Sequence, residues 1–194
     1  MSDFWSKDFS AGGIKDPKRK FRFIVNVAGL QESSTGTSLW YAKTATKPSF
    51  SIATTEHKYL NHTFFYPGTV TWNDVSITLV DPTDPSTAEL FGDIMKAAGY
   101  GVPVDDTDWH TMTKSKLSNA LGAVTITQLD GDGASMETWT LKNAIVTEMK
   151  WGDLEYGADD LTELTLTLKY DWATMMASDG VTEYFAAGQA APTT

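Results

Sequence analysis

The 194-residue chain contains no cysteine. That excludes disulfides, thiolate nucleophiles and thiolate metal sites together, and it fits a reducing compartment. No stretch approaches the roughly 18 consecutive apolar residues of a membrane helix, and the opening residues lack the apolar run of a signal peptide. The expectation is a protein made and kept in the cytosol, with no membrane partner. Histidine is scarce, at three residues, and no Gly-x-Ser-x-Gly motif, glycine-rich phosphate loop or basic-aromatic interleaving is present. No catalytic constellation is recognisable, so the chain is expected to build or bind rather than to transform, and to carry no cofactor.

Positive charge is also in short supply, 15 Lys and Arg against 25 Asp and Glu, for a formal net charge of −10. It is unevenly spread. Lys7, Lys15, Lys18, Arg19, Lys20 and Arg22 fall in the first 22 positions beside only Asp3, Asp8 and Asp16. The rest of the chain is strongly acidic and should repel duplex DNA. Two readings stand for the basic start: a solvated leader, or an arm docking on an acidic neighbour.

What is abundant is aromatic and β-branched surface. Seven Trp, seven Tyr and nine Phe are enough to offset the entropy of ordering a backbone, so the chain should fold as a mainly β protein. Residues 1–20 read as an N-terminal arm, 21–172 as the β domain and 173–194 as a C-terminal tail with a short ordered piece near 181–185. Phe21-Arg-Phe-Ile-Val-Asn-Val alternates as a strand does, and a second strand over 39–46 ends at Lys47-Pro48. Residues 50–66 read as a long hairpin hinged near Asn61 and closed by Pro67-Gly68. Its aromatics Tyr59, Phe64, Phe65 and Tyr66 do not alternate cleanly with polar residues, as in a segment that buries both faces.

In the next strand Val75, Ile77 and Leu79 oppose Asp74, Ser76 and Thr78. One α-helix is expected over 86–98: Ser86 and Glu89 make a capping box, Leu90, Phe91, Ile94, Met95 and Ala98 form the apolar stripe, and Gly99 supplies the stop. An irregular acidic loop over 101–113 should follow. Asp130-Gly-Asp-Gly133 marks a hairpin turn, and Ile145, Thr147, Met149 and Trp151 read as one side of a strand. Leu164, Leu166, Leu168, Tyr170 and Trp172 alternate with Thr165, Thr167, Lys169 and Asp171 as a half-exposed antiparallel strand does.

Candidate chemistry is thin. His57 and His62 lie five apart, which on one strand places them on opposite faces and argues against a metal pair; a turn at Asn61 would alter that. His110 has no nucleophile motif beside it. Asp130-Gly-Asp132-Gly133 lacks the remaining ligand positions of a calcium loop. Asp105 with Asp106 and Asp159 with Asp160 read as solvated loop acids.

The ordered set of Phe21-Arg-Phe-Ile-Val-Asn-Val, Lys43-Thr-Ala-Thr-Lys-Pro48, the run from Tyr66 through Trp72 to Val80, the helix, Asn143-Ala-Ile-Val-Thr-Glu-Met-Lys-Trp-Gly-Asp-Leu-Glu-Tyr and Glu163-Leu-Thr-Leu-Thr-Leu-Lys-Tyr-Asp-Trp172 resembles the tail tube proteins of contractile-tailed phages. That family is related to secreted hexameric tube proteins and contractile bacteriocin tubes. The resemblance implies an antiparallel two-sheet sandwich or barrel-like protomer with one flanking α-helix, assembling into a hexameric ring with a continuous inner β-barrel. Six copies giving four strands each would enclose a bore about 48 Å across between backbones, at about 4.8 Å strand spacing and about 40° tilt.

The implied function is a virion tail tube subunit, assembled in the host cytoplasm, whose stacked rings conduct DNA as a cargo that does not stick. Tail sheath, baseplate and tail terminator proteins are the implied partners, besides other copies of the chain. By the same resemblance His57, Tyr59, Phe64 and Tyr66 would make inter-subunit contacts. Asp74, Ser76, Thr78, Glu163, Thr165 and Thr167 would face the lumen as an acidic, hydroxyl-rich wall. The alternatives are a tube initiator in the baseplate, a secreted hexameric ring protein, and a carbohydrate-binding β module stacking sugars on Trp72, Trp109 or Trp139.

Overall fold

The alternation of β-branched and leucine residues with threonines draws most of the chain into antiparallel strands. The computed structural model describes residues 17–30, 41–83, 86–106, 110–157 and 159–188. Their strands in chain order are β1 (Phe23–Val27), β2 (Ala42–Ala45), β3 (Phe50–Tyr59), β4 (His62–Trp72), β5 (Val75–Val80), β6 (Val124–Leu129), β7 (Ser135–Lys142), β8 (Ile145–Lys150), β9 (Glu163–Lys169), β10 (Trp172–Ala177) and β11 (Glu183–Tyr184). A five-stranded sheet runs β1-β6-β7-β10-β11, a four-stranded sheet runs β2-β5-β9-β8, and β3 and β4 form a separate two-stranded hairpin.

The first two sheets sandwich the core. Val25, Val27, Val124, Ile126 and Leu141 of the larger sheet belong to one buried cluster with Val75, Ile77, Leu79, Leu164, Leu166 and Leu168 of the smaller. Each such side chain contributes about 1.5–3 kcal/mol by leaving water. Helix α1 (Thr87–Ala97) adds Phe91 and Ile94 to that cluster. Its start is capped by the Ser86 hydroxyl, which accepts from the Glu89 amide at 3.4 Å, and Gly99 ends it at φ +87.

Two helices, not one, flank the sandwich among the described residues. Helix α2 (Lys114–Leu121) buries only Leu121 and packs on α1 and β8. With a weak apolar stripe its signal is in the caps: the Thr113 hydroxyl accepts from the Lys116 amide, and Gly122 stops the helix at φ +68. A 3-10 turn (Ala28–Leu30) runs against its end, where a Cβ at Gly29 would lie 2.2 Å from the Ala120 carbonyl oxygen.

Three further expectations are corrected. The hairpin does not close at Pro67-Gly68; β4 runs through them to Trp72, and a register shift between Ile52 and Thr54 absorbs the irregularity. A strand whose edges meet solvent tolerates proline there. The last strand does not continue to Trp172: the chain leaves the small sheet after Lys169 and enters the large one as β10, Asp171 donating its amide to the Lys142 carbonyl. The segment after 172 is therefore not all tail. β10 pairs with β7, and β11 falls inside the short ordered piece expected at 181–185.

The Asp130 turn behaves as expected. Its carboxylate accepts from the amides of Asp132 and Ala134, and Gly133 takes φ +84.

Candidate assembly surfaces

Beyond the sandwich the hairpin stands almost wholly exposed along both strands. Its register pairs Thr55 with Tyr66, His57 with Phe64 and Tyr59 with His62. Directly opposed residues share a face, so His57, Tyr59, Phe64 and Tyr66 form one aromatic face, while Phe65 lies opposite, across from Glu56. The tight turn, with Leu60 at φ +54, also brings His57 and His62 to the same face rather than to opposite ones. His62 packs edge-on against Phe64 with ring centroids 4.7 Å apart. Among the described residues no three His, Asp or Glu gather to hold a metal.

At its root the hairpin meets an aromatic block. Trp72 touches Phe50 at 5.3 Å, Phe185 at 5.7 Å and Tyr170 at 5.9 Å between centroids, and Trp139 stacks on Phe185 at 6.3 Å. Phe185 holds φ +61, a costly conformation for a bulky residue, within this block. Trp72 and Trp139 are thus packing residues, which removes two of the three platforms of the sugar-binding reading. Trp109 lies outside the described residues.

The outer face of the four-stranded sheet collects the predicted wall residues. Ser76 pairs with Thr167, Thr78 with Thr165 and Val80 with Glu163, and Asp74 continues the row. The expected acidic character is not found. Lys43 is salt-bridged to Glu163, Lys169 lies 3.8 Å from Asp74 and Lys150 3.2 Å from Glu148. Lysines from β2, β8 and β9 thus offset the carboxylates, and the face is hydroxyl-rich and charge-balanced. On β8 a register shift between Val146 and Glu148 places Ile145 opposite Lys169 but Met149 opposite core Leu166, so the expected single row breaks there.

The two outer strands of this sheet differ sharply in charge. Around β2, residues 17–30 and 41–47 carry Lys18, Arg19, Lys20, Arg22, Lys43 and Lys47 with no acid. Around β8, residues 145–162 carry Glu148, Asp153, Glu155, Asp159 and Asp160 against Lys150 alone. Part of the basic start docks on its own chain: Lys18 and Lys47 both bind Glu137, and Gln128 donates to the Arg19 carbonyl at 3.2 Å.

Burial alone would raise the Glu137 carboxyl, but the two lysine hydrogen bonds outweigh it and hold the group below its ordinary 4.5. A carboxyl depressed in the folded state contributes stability above its unfolded value, and that share is lost as pH falls through the folded value. Thermal melts from pH 7 downward should therefore show Glu137→Gln less stable than the parent at neutral pH, with the gap narrowing as the pH falls below the ordinary carboxylate value.

No protein-family model matches the chain, and no curated protein matches it in sequence. Among solved structures, it shares its fold with a chain of the anti-feeding prophage baseplate, at TM-score 0.61 and 16% identity over 85% of this chain and 99% of that one. A chain from the sheath/tube terminator of an extracellular contractile injection system gives 0.61 and 18% over 85% and 100%. One from the sheath-tube complex of that system gives 0.58 and 18% over 89% and 97%. The fold is that of contractile injection system components.

Proposed function

We propose that this chain is a non-enzymatic structural tube subunit, forming six-membered rings that stack into the conduit of a contractile tail. One observation carries the reading. The four-stranded sheet has two outer strands, β2 and β8, that pair with one strand each among the described residues. Strands alternate in direction across four antiparallel members, so β8 of one copy meets β2 of the next in antiparallel sense. The sheet then continues from copy to copy without an edge.

The face carrying Ser76, Thr78, Thr165 and Thr167 then lines the bore. Its lysines are neutralised by neighbouring carboxylates, so it offers a phosphate backbone few places to stick, as passage of DNA requires. The hairpin reaches a neighbouring ring through His57, Tyr59, Phe64 and Tyr66. Sheath, baseplate and terminator proteins are the partners, and the particle is a phage tail. A terminator or baseplate ring of the same fold is the second reading, favoured by the baseplate and terminator assemblies among the structural neighbours. Negative-stain microscopy of the purified protein should show six-fold rings or tubes; a monomer persisting at high concentration would overturn the proposal. The number of copies per particle separates tube from terminator.

A further inference from the structure

Between β1 and β2 the sandwich opens into a groove of about 710 Å³, whose lining includes Lys20, Phe21, Phe23, Ala42, Lys43 and Lys47. Its floor is apolar; of its lysines, Lys43 and Lys47 are bonded to Glu163 and Glu137 of the same copy, and Lys20 carries no such bond among the described residues. Phe21 is 74% exposed there, although a phenylalanine next to the first strand has the core within reach. Past the other outer strand, the residues following β8 have the opposite character. Trp151, Leu154 and Tyr156 are exposed, Leu154 at 88%, and they alternate with Asp153 and Glu155.

In a chain of net charge −10, two copies repel each other over most of their surfaces. These two edges are a pair of large surfaces that attract, and each pairs exposed apolar side chains with charge of opposite sign. Their positions also agree. Where β8 of one copy runs antiparallel to β2 of the next, the C-terminal end of β8 lies beside the N-terminal end of β2, so the residues leaving β8 start next to Ala42 and Lys43, which line one end of the groove.

We propose that residues 151–156 of one copy seat in the β1–β2 groove of the next. Leu154 and Tyr156 cover Phe21 and Phe23, and Asp153 and Glu155 meet Lys20 at the rim. Donor and acceptor are different patches, so the contact is head-to-tail and propagates until the ring closes. The inference rests on the ring reading above and adds to it the contact that selects the neighbour.

The absence of cysteine makes the test direct. Phe21→Cys and Leu154→Cys replace exposed side chains flanking β2 and β8, which β5 and β9 hold roughly 14 Å apart, beyond the reach of a disulfide within one copy. Under mild oxidation the double variant should give a ladder of covalent species ending at six on a non-reducing gel. Phe21→Cys mixed with Leu154→Cys should stop at dimers, and each single variant alone should stay uncrosslinked.

Reversing charge checks the same contact without a crosslink. Asp153→Lys/Glu155→Lys, or Lys20→Glu, should raise the concentration for half-assembly by about tenfold or more, and mixing the two should restore it. If the unaltered protein assembles but the double cysteine variant gives no ladder, or Leu154→Cys crosslinks to itself, the groove contact is overturned and the ring reading stands. If the unaltered protein stays monomeric, both fall.

Discussion

Tyr59→Asp/Phe64→Asp should leave a folded, soluble subunit that forms no tubes. Both side chains are exposed in the single copy, at 64% and 45%, and the hairpin they belong to contributes nothing to the sandwich core beyond its root. The melting transition should therefore shift by no more than the roughly 0.5 kcal/mol typical of surface changes. In an interface the same two carboxylates lose their hydration, and their own face of the hairpin carries no lysine or arginine to offset them, at a cost of several kcal/mol each. Sedimentation velocity with parallel circular dichroism melts checks both halves. Phe65→Asp, on the reverse face, tells whether the hairpin is covered on one side or two: continued assembly means one. Tubes from the Tyr59/Phe64 variant would remove the hairpin from the proposed function.

The second large effect is on stability. Ile77→Ala should cost about 2–5 kcal/mol and lower the melting temperature by about 4–20 °C. Ile77 is fully buried on β5, paired with Ala45 on one side and Leu166 on the other. Strands on both sides are held in register by their own hydrogen bonds and cannot collapse into the space. Chemical denaturation should show a lower midpoint with an unchanged slope. A loss under 1 kcal/mol would mean that the two sheets can move together to fill the gap.

Much of the fold was legible because it depends on neighbours in sequence. Alternation along β5 and β9, the Ser86 cap with the stripe of α1, and the Asp130 turn are local patterns with local causes. The errors lie where local pattern meets distant structure. At Tyr170 and Asp171 the alternation runs on while the chain changes sheets, so Trp172 leaves the core row. Nothing in period two distinguishes a continuing strand from one that bends into another layer.

Helix α2 was missed because one buried leucine makes no stripe, although Thr113 and Gly122 marked its ends. The wall residues were placed on one face correctly by alternation along single strands. Their charge was misjudged because Lys43, Lys150 and Lys169 arrive from other positions and strands. The aromatic face of the hairpin was obscured for a related reason: which residues share it depends on the turn at Leu60, and that turn sets the register of both strands.

The aromatic block around Phe185 has a mechanical meaning. The hairpin is a cantilever of roughly 33 Å, clamped at its root where Phe50 and Trp72 meet Phe185, itself stacked on Trp139. Pivoting it would require unstacking several rings at once, so its free end points in one direction before anything touches it. A beam fixed in this way loses little freedom when it is received by another copy. If the hairpin seats in a neighbouring ring as proposed, it would also carry the angle at its root to the next subunit.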